Sequence, residues 1–439
     1  MARSSANFRM TEIDLIPSTW DIVPFGEICE SSAFGPRFSG DMYDPQGNVA
    51  TLRTTDLDDN GRISYSTMPL ARLDLNKYGK HLLQANDLVI TRSGTCGIAA
   101  VFEDFRLPVL PGAFSIRFRL STRGDPRFFR YYFNSPIGRE RVLALASGSV
   151  QQNLNSTSLL ALKVPLPPLS EQRAIVHILG ALDDKIELNR RMNHTLEEMA
   201  RAIFKSWFVD FGPVVAKAEG RQPYGMNAET AALFPSAFQD SELGPIPKEW
   251  QVGTVGDEFN LTMGQSPPGK TYNEGGEGIP FYQGRTDFGF RFPTRCVYCT
   301  APTRFANPGD TLVSVRAPVG DINMASEHCS VGRGVAALRH KSGSRSYTYY
   351  SMHFMAEEFS VFEGEGTLFG SIGGDSFRGI KVIVLDPRTI VEFERRVFPL
   401  DQSIENNEHQ SATLAAIRDA LLPKLLSGEI RVNQVAETQ

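Results

Sequence analysis

Residues 264–271, GQSPPGKT, have the spelling of a phosphate-binding loop. Such a loop binds phosphate through backbone N–H groups at the start of a helix. Pro267 and Pro268 remove two of those N–H groups, and the sequence that follows, YNEGGEGIP, is not a helix-forming sequence. The two prolines and the sequence that follows therefore predict an ordinary loop here and not a nucleotide-binding site.

Cys296 and Cys299 have the spacing with which many zinc sites begin, and Cys329, His328 or His340 could complete such a site. One such pair is a weak signal, and small buried thiols are the simpler interpretation. The seven histidines form no HExxH motif, and no nucleophile elbow is present. The sequence therefore predicts no metal site and no catalytic constellation.

Loops that combine arginine or an amide side chain with glycine, serine or proline recur along the chain. Arginine can donate two hydrogen bonds to guanine, glutamine and asparagine can pair with adenine, and hydroxyl groups and lysine can hold phosphate. Any one of these residues could instead be a solvated loop residue or a member of an internal ion pair. The candidates for DNA contact are Arg53, Thr54, Asp56, Arg92, Ser93, Gln151, Asn153, Gln265, Ser266, Lys270, Tyr272, Gln283, Arg285, Arg316 and Arg333.

Two long stretches carry apolar residues at alternating spacings of four and three, which is typical of coiled-coil helices. The first runs from Ile175 to Trp207, and the second repeats its register 218 residues later, from Phe393 to Leu425. A central polar layer falls at the same place in both. We predict that the two helices pair through Leu182, Ile186, Asn189, Asn193, Leu196, Ile203, Leu400, Ile404, Asn407, Leu414 and Leu421.

The pairing is expected to be antiparallel, because the connecting chain then delivers the second helix beside the end of the first. A parallel pairing would require the connection to travel back along the whole helix. The facing pairs in the antiparallel register are Asn193 with Asn407, Ile186 with Leu414, and Leu196 with Ile404. A buried asparagine pair fixes the register at some cost in stability.

Three residues are expected to weaken these helices. Gly180 lies in the first, while Pro399 and Pro423 lie in the second, where proline removes a backbone donor and can kink or end a helix. Arg418 faces Leu182 and has to extend its side chain towards solvent. The continuity of the second helix is therefore the open question.

A globular segment precedes each helix, and the two segments repeat one another. Trp20 and Trp250 close similar openings, EIDLIPSTW and ELGPIPKEW, and Lys163 and Lys381 each precede a valine shortly before the helix. The sequence predicts an α+β fold with two β-rich domains separated by two long antiparallel coiled-coil helices, related by an internal pseudo-twofold repeat. Helices of about 33 residues would hold the domains roughly 50 Å apart.

Short β-prone runs broken by glycine and proline fill both globular segments. They are VATLRTTDL, DLVITRSGTCG and AFSIRFRL in the first, and IPFYQGRTDF, DTLVSVRAPVG and GVAALRH in the second. Helical pieces are predicted around RFFRYYFNSPIGRERVL and SYTYYSMHFMAEEF, whose aromatic clusters are expected to be core.

The composition bounds the class of protein. A chain of 439 residues with 41% hydrophobic and 22% charged residues should form two or more globular domains. No apolar run approaches the roughly 18 residues that span a bilayer, so we expect a cytoplasmic protein. Five scattered cysteines predict no disulfide framework. The net charge of −5 argues against DNA binding from composition alone, so any DNA contact must come from local patches or partner subunits.

Across essentially its whole length, the sequence resembles the specificity subunit of type I restriction-modification systems. The resemblance rests on LPPLSEQRAIVHILGALDDKIELNRRMNHTLEEMARAIFKSWFVDFGPV, SELGPIPKEW, GQSPPGKTYNEGGEGIPFYQG, GDTLVSVRAPVGDINMA, VGRGVAAL and LLPKLLSGEI. It implies target recognition domains at residues 1–165 and 248–386, conserved coiled-coil helices at 166–210 and 387–439 (the latter with a tail), and a linker at 211–247. It also implies that GQSPPGKTY is a recurring opening of such domains.

The resemblance further implies a function. Each domain would read one half of an asymmetric, interrupted site in double-stranded DNA, and the helices would dock two modification (methyltransferase) subunits. Those subunits would bring S-adenosylmethionine and methylate adenine, and restriction (motor/endonuclease) subunits would join to cleave DNA. The chain itself would be noncatalytic and would bind no cofactor.

Two other functions remain open from the residues. A stand-alone nuclease or DNA methyltransferase with duplicated recognition domains would need an NPPY-like motif with a cofactor-binding glycine motif, or a metal-binding carboxylate and lysine cluster. The NSPI sequence at residues 134–137 is not such a motif. A structural coiled-coil scaffold without DNA affinity would need neither.

Overall fold

The computed structural model describes residues 8–11, 15–146, 153–364 and 370–432. These residues form two compact units. Unit 1 comprises the described residues of Met1–Ile186 and Ala412–Gln439, and unit 2 comprises those of Glu187–Ser411. Each long helix is divided between the two units, so each unit contains one β-rich domain and a segment of both helices.

The two long helices are continuous. The first spans Leu169–Phe204 and ends in a wide turn at Lys205–Val209, and the second spans Pro387–Leu426. The question left open by Pro399 and Pro423 is thereby answered, since the second helix runs through both prolines, each of which removes only one backbone donor.

The helix segments pair in antiparallel fashion within each unit. In unit 1, Arg418 donates to the carboxylate of Asp183 at 2.9 Å. In unit 2, the side-chain amide of Asn407 donates to that of Asn193 at 2.9 Å, as predicted. The prediction for Arg418 was incomplete, because Asp183 gives it a charged partner and it need not extend to solvent.

Unit 1 contains four small sheets. A four-stranded antiparallel sheet has the order Cys29–Phe34, Ser115–Leu120, Leu88–Thr91 and Ala99–Val101. A three-stranded sheet has the order Leu70–Ala71, Val49–Leu52 and Val109–Pro111, with the last two strands parallel. The remaining pairs are Phe8–Met10 with Leu15–Pro17 and Asp21–Pro24 with Lys163–Leu166. The shorter helices are Leu75–Tyr78, Pro126–Asn134, Pro136–Leu143 and Ser156–Ala161.

Unit 2 repeats this plan. Its four-stranded sheet has the order Phe259–Met263, Val335–His340, Thr311–Ser314 and Ile322–Met324. A five-stranded sheet has the order Tyr272–Asn273, Tyr298–Cys299, Ile279–Tyr282, Cys329–Val331 and Phe305–Ala306. The remaining pairs are Phe238–Gln239 with Ile246–Pro247 and Gln251–Thr254 with Lys381–Val384. The shorter helices are Gly212–Ala218, Ala228–Ala232, Val255–Glu258, Arg345–Phe354, Ala356–Gly364 and Gly374–Gly379.

The repeat extends to individual contacts. In each four-stranded sheet an arginine donates to an aspartate, Arg119 to Asp87 and Arg339 to Asp310, all at 2.8 Å. A tyrosine also donates to the same position of each long helix, Tyr131 to Asp183 at 2.6 Å in unit 1. Its counterpart is the bond from Tyr350 to Asp401 at 2.9 Å in unit 2. The predicted α+β class with an internal repeat and antiparallel long helices is confirmed.

Aromatic side chains fill both cores, as predicted. In unit 1, Phe25 packs against Phe118, Phe129 and Phe133 with ring centroids 5.1 to 5.6 Å apart. In unit 2, the segment at 211–247 packs onto the end of the first long helix, where Phe234 lies 5.2 Å from Trp207. That segment is therefore folded, with two short helices and a strand pair. The aromatic residues predicted to be core, Phe128, Phe129, Tyr131, Tyr132, Tyr347, Tyr349 and Tyr350, are all buried.

The end of the second long helix completes the core of unit 1. Leu425 and Leu426 are buried together with Trp20. Beyond the helix, Arg431 donates to Glu171 at 2.8 Å, and Glu171 also accepts from the Trp20 indole at 2.9 Å. Within the described part of the chain, no helix is both long and apolar enough to cross a membrane.

Candidate functional site

Several loops of unit 2 meet at one edge of its sheets. We call residues 264–266, 283–285, 315–317, 332–334 and 370–372 the unit 2 loop cluster. The backbone joins them through hydrogen bonds from Gln265 to Val331 (3.0 Å), Gly332 to Tyr282 (2.8 Å), Val315 to Gly334 (2.9 Å) and Ala317 to Gly370 (2.9 Å). A Cβ at Gly264 would lie 2.1 Å from the Gly332 carbonyl oxygen, so glycine is required for this close approach.

The unit 2 loop cluster presents five of the predicted polar side chains to solvent, namely Gln265, Gln283, Arg285, Arg316 and Arg333. The Ser266 hydroxyl accepts from the Arg333 backbone at 3.3 Å. The Arg285 guanidinium lies 3.1 Å from Asp321, and both side chains are about half exposed. The structure therefore brings together arginine and amide groups that are far apart in sequence.

Lys270 and Tyr272 lie in the loop spelled like a phosphate-binding motif. Gly269–Thr271 forms a single 3₁₀ turn, and a strand follows it instead of a helix. The Tyr272 hydroxyl donates to the Pro267 carbonyl at 2.6 Å, and its ring lies 4.8 Å from that of Phe281, while Lys270 is exposed. The helix that a nucleotide-binding loop of this spelling needs is thus replaced by a strand.

Unit 1 has the corresponding cluster. We call residues 34–35, 53–54, 92–93, 112–114 and 153–154 the unit 1 loop cluster. Its loops are joined by hydrogen bonds from Gly35 to Ser115 (3.1 Å), Gly112 to Leu52 (2.8 Å), Arg92 to Phe114 (2.7 Å) and Leu154 to Arg92 (2.9 Å). A Cβ at Gly35 would lie 2.0 Å from the Gly112 carbonyl oxygen, as at Gly264 in unit 2. Arg53, Thr54, Arg92, Ser93 and Asn153 belong to this cluster, whereas Gln151 lies outside the described residues.

The polar side chains of the unit 1 loop cluster are more strongly bound within the chain. Arg53 donates to the carboxylate of Asp56 at 2.8 and 3.1 Å and to the Thr67 carbonyl at 2.7 Å. Burial opposes ionisation of Asp56, but the bonds from Arg53 outweigh it and hold the pKa of Asp56 below its usual value. Asp56 and Ser93 are only 1% and 3% exposed, so their side chains are buried under the loops and are not presented at the surface.

Arg92 stacks on an aromatic ring. Its guanidinium carbon lies 4.7 Å from the centroid of Phe34, and its Nε is buried without a hydrogen-bond partner among the described residues. Phe114, in the adjacent loop, is 51% exposed. Neither Phe34 nor Phe114 is among the residues predicted from the sequence. The matching Gly-containing turns at 112–114 and 332–334 are the signal that could have indicated Phe114.

The two cysteines of the predicted pair, Cys296 and Cys299, differ in solvent exposure. Cys296 is exposed, whereas Cys299 and Cys329 are buried. Burial raises the pKa of the Cys329 thiol to about 12, so it remains protonated at neutral pH. No group of three or more potential metal ligands occurs among the residues that the structure describes.

The residues predicted to pair the two helices are all buried or half-buried. Asn189, Asn193 and Ile404 are buried, and the other eight are half-buried. The Asn189 side-chain amide donates to Gln410 at 2.9 Å and Ser411 at 3.2 Å. Asn193 donates to Glu408 at 2.7 Å, and burial raises the pKa of that carboxyl. The polar layer thus extends beyond the predicted asparagine pair.

A buried arginine links the unit 2 domain to both long helices. Arg291 is 1% exposed, donates to Asp401 at 2.8 Å and lies 3.4 Å from Glu197. It also donates to the Tyr350 hydroxyl at 3.0 Å, and its guanidinium carbon lies 4.0 Å from the Tyr349 ring centroid. Sequence reasoning missed Arg291, because only the packed domain brings it to the helices.

One face of the first long helix in unit 2 remains apolar and exposed. Leu188, Met192 and Met199 are 50%, 41% and 49% exposed. Their spacing places them along one side of the helix. Exposed apolar side chains in a row are typical of an interaction surface.

Comparisons with known proteins agree with this architecture. Residues 17–198 match the type I restriction modification DNA specificity domain. The chain is 24% identical over 458 residues to the type I restriction enzyme MjaIX specificity subunit of Methanocaldococcus jannaschii, covering 99% of this chain and 98% of that protein. It is 27% identical over 332 residues to the type I restriction enzyme HindI specificity subunit of Haemophilus influenzae, covering 65% and 72%.

A solved structure shares the fold. It is the type I restriction-modification system S subunit from M. genitalium, with a TM-score of 0.58 and 18% identity over 92% of this chain and 96% of that chain. Both of the relatives named above are specificity subunits, and the matched domain is a DNA specificity domain. The matched domain covers residues 17–198, and the similarity to the MjaIX specificity subunit extends over nearly the whole chain.

Proposed function

We propose that the chain reads a bipartite, asymmetric site in double-stranded DNA, with one half contacted by each loop cluster. The observation that carries the proposal is the repetition of one loop arrangement on one strand order, with different side chains in each copy. Two copies of a scaffold with different surface chemistry are suited to two different half-sites. The two target recognition domains are residues 1–165 and 248–386.

The side chains have the chemistry for this role. In unit 2, Arg285, Arg316 and Arg333 can donate to guanine or phosphate, and Gln265 and Gln283 can pair with adenine. In unit 1, Arg53 and Arg92 are held by Asp56 and Phe34, so each donates from a fixed position. Lys270 and Thr54 supply contacts to the phosphate backbone. Local groups of this kind permit DNA binding by a chain whose net charge is −5.

The long helices are proposed to dock two methyltransferase subunits, for which the exposed face at Leu188, Met192 and Met199 is suited. S-adenosylmethionine would be bound by those subunits and not by this chain. Restriction subunits would join the same assembly in the cytoplasm. In this assembly the chain contributes specificity, while its partners contribute the methyl transfer and cleavage.

A domain exchange tests the proposal. Residues 20–160 are replaced by the corresponding segment of a specificity subunit with a different target, and the chain is expressed with its methyltransferase subunits. Mapping of methylated adenines by single-molecule sequencing should show one new half-site and one unchanged half-site. The reciprocal exchange of residues 250–378 is the matched control and should change the other half.

Two outcomes would contradict the proposal. A methylation pattern that ignores the exchange of residues 20–160 would show that unit 1 does not read sequence. Absence of salt-dependent DNA binding by the assembled complex would instead favour a coiled-coil scaffold without DNA affinity.

A further inference from the structure

The two loop clusters carry different kinds of exposed side chain at one turn. In unit 2, the turn at residues 332–334 contains Gly332, Arg333 and Gly334, and the exposed side chain is a cation. In unit 1, the corresponding turn at residues 112–114 contains Gly112, Ala113 and Phe114, and the exposed side chain is an aromatic ring. Both turns precede the same strand of the four-stranded sheet, so their backbones occupy the same place in the two domains.

The surroundings hold Phe114 at the surface. Its carbonyl accepts from the Arg92 backbone at 2.7 Å, and the Ser115 backbone donates to Gly112 at 3.0 Å, so the turn is tied at both ends. The neighbouring residue Ser115 is fully buried, whereas Phe114 is 51% exposed. An exposed phenylalanine on a fixed turn presents apolar area that a partner surface can cover, which is favourable for binding.

A second ring and a cation lie beside this turn. Phe34 is the last residue of the strand Cys29–Phe34 and lies opposite Ile116 in the neighbouring strand. It therefore lies at the edge of the sheet from which the turn at residues 112–114 enters. It is 38% exposed, and the Arg92 guanidinium covers one of its faces at 4.7 Å. A cation next to exposed aromatic rings suits a partner that combines negative charge with flat apolar surfaces, and nucleic acid is such a partner.

We propose that Phe114 inserts at a base step of the half-site that unit 1 reads, with Arg92 and Phe34 supporting the adjacent phosphate and sugar. The inference rests on the proposed function and adds a mode of reading to it. Unit 2 reads by hydrogen bonds from its arginines and amides, whereas unit 1 reads partly by the ease with which a base step opens. Apolar wedges of this kind unstack and kink DNA, and flexible pyrimidine–purine steps accept them at the lowest cost.

The experiment measures unstacking and binding in the same sample. The assembled complex with its methyltransferase subunits binds duplexes that carry 2-aminopurine at A·T pairs, or pyrrolocytosine at G·C pairs, of the unit 1 half-site. The adenine that is methylated is left unlabelled, because its own extrusion would raise the fluorescence. Fluorescence anisotropy of a distal dye reports binding. The unit 1 half-site is the one that changes in the exchange of residues 20–160.

The wild-type complex should bind with a rise in fluorescence at one step of the half-site. Phe114→Ala should abolish that rise and weaken binding by about 5- to 100-fold, the usual range for loss of one base–aromatic stack. Phe114→Trp should retain both, which separates a stacking role from a purely structural one. Met10→Ala, which also removes an exposed apolar side chain of unit 1, is the matched control and should change neither.

The remaining outcomes overturn the inference in distinguishable ways. Binding by the wild-type complex without a rise at any step would remove the wedge while leaving the proposed function intact. A rise that persists in Phe114→Ala would assign the unstacking to another residue. Failure of the wild-type complex to bind its methylation site would contradict the proposed function, and the inference would fail with it.

Discussion

At the scale of single residues, the buried Arg291 contacts two carboxylates and two tyrosine side chains in unit 2. Its guanidinium balances two carboxylates in a site that is almost fully buried. Removing one partner of such a network leaves charge buried without compensation, which typically costs 3–5 kcal/mol. We therefore expect Arg291→Met to lower the free energy of unfolding of unit 2 by about 3–5 kcal/mol in urea denaturation.

Arg285→Met is the matched control for this prediction. Arg285 lies six residues before Arg291 in the sequence, but its pairing with Asp321 is about half exposed. Exposed pairs contribute less than about 1 kcal/mol, so the control should change stability little. Similar losses for the two variants would contradict the role assigned to Arg291.

Glu392 predicts a pH dependence. Its carboxylate accepts two bonds from Arg395 at 2.7 Å, one from Thr230 at 2.9 Å and one from Arg396 at 3.1 Å. The bonds from Arg395 are the main cause that lowers the pKa of Glu392 to about 2, from 4.5. A depressed carboxyl pKa stabilises the folded state above the unfolded pKa, and that contribution disappears as the pH falls towards 2.

Glu392→Gln should therefore be less stable than the wild type at neutral pH, and the difference should shrink as the pH falls from about 5 to about 2. The measurement is the thermal midpoint across that pH range. Thr230→Val removes only one donor to the carboxylate and should show the same trend at smaller amplitude. A difference that grows on acidification would have the wrong sign for this account.

At the scale of elements, the polar layer between the long helices specifies their register in unit 2. Asn407 donates to Asn193, which in turn donates to Glu408. Asn193→Leu should cost about 1–3 kcal/mol, because it leaves two half-buried polar partners without their hydrogen bonds to Asn193. Adding Asn407→Leu should restore part of this loss, with a coupling energy of about 0.5–3 kcal/mol in a double-mutant cycle.

Thr195→Ala combined with Asn407→Leu provides the comparison for the cycle. Thr195 is exposed on the outer face of the helix, so these two substitutions should be additive within about 0.5 kcal/mol. Additivity of the two asparagine substitutions would mean that the layer is not a connected network.

At the scale of the whole molecule, unit 1 depends on the last part of the chain. Leu425 is 1% exposed in the core that contains Trp20, although about 400 residues separate them. Leu425→Ala should destabilise unit 1 by about 2–5 kcal/mol through loss of apolar contact and an unfilled cavity. Hydrogen exchange should show faster exchange in residues 15–146 and little change in the unit 2 domain.

Ile417→Ala is the control for the unit 1 prediction, since Ile417 lies on the same helix but is 43% exposed. It should change stability by no more than about 0.5 kcal/mol. Faster exchange throughout both units on Leu425→Ala would contradict the assignment of this segment to unit 1.

Elements with a strong local pattern were predictable. The six β-prone runs contain strands, the aromatic runs form buried helices, and the repeat of 218 residues relates the two long helices. The local signal of Pro399 was misleading. A proline removes one backbone hydrogen-bond donor, and the second long helix nevertheless continues through Pro399. The polar loop residues were identified by type, and the structure places most of the described ones in two clusters.

The sequence by itself determined the period of the helices, the duplication and the residue types available for recognition, since these depend on spacing along the chain. Only the tertiary structure decided which loops meet, that Phe114 is exposed, and that Arg291 reaches Asp401. The physical reason is that these contacts join residues from separate strands, turns and helices. Their energies depend on burial and on partner distance, which no local pattern encodes.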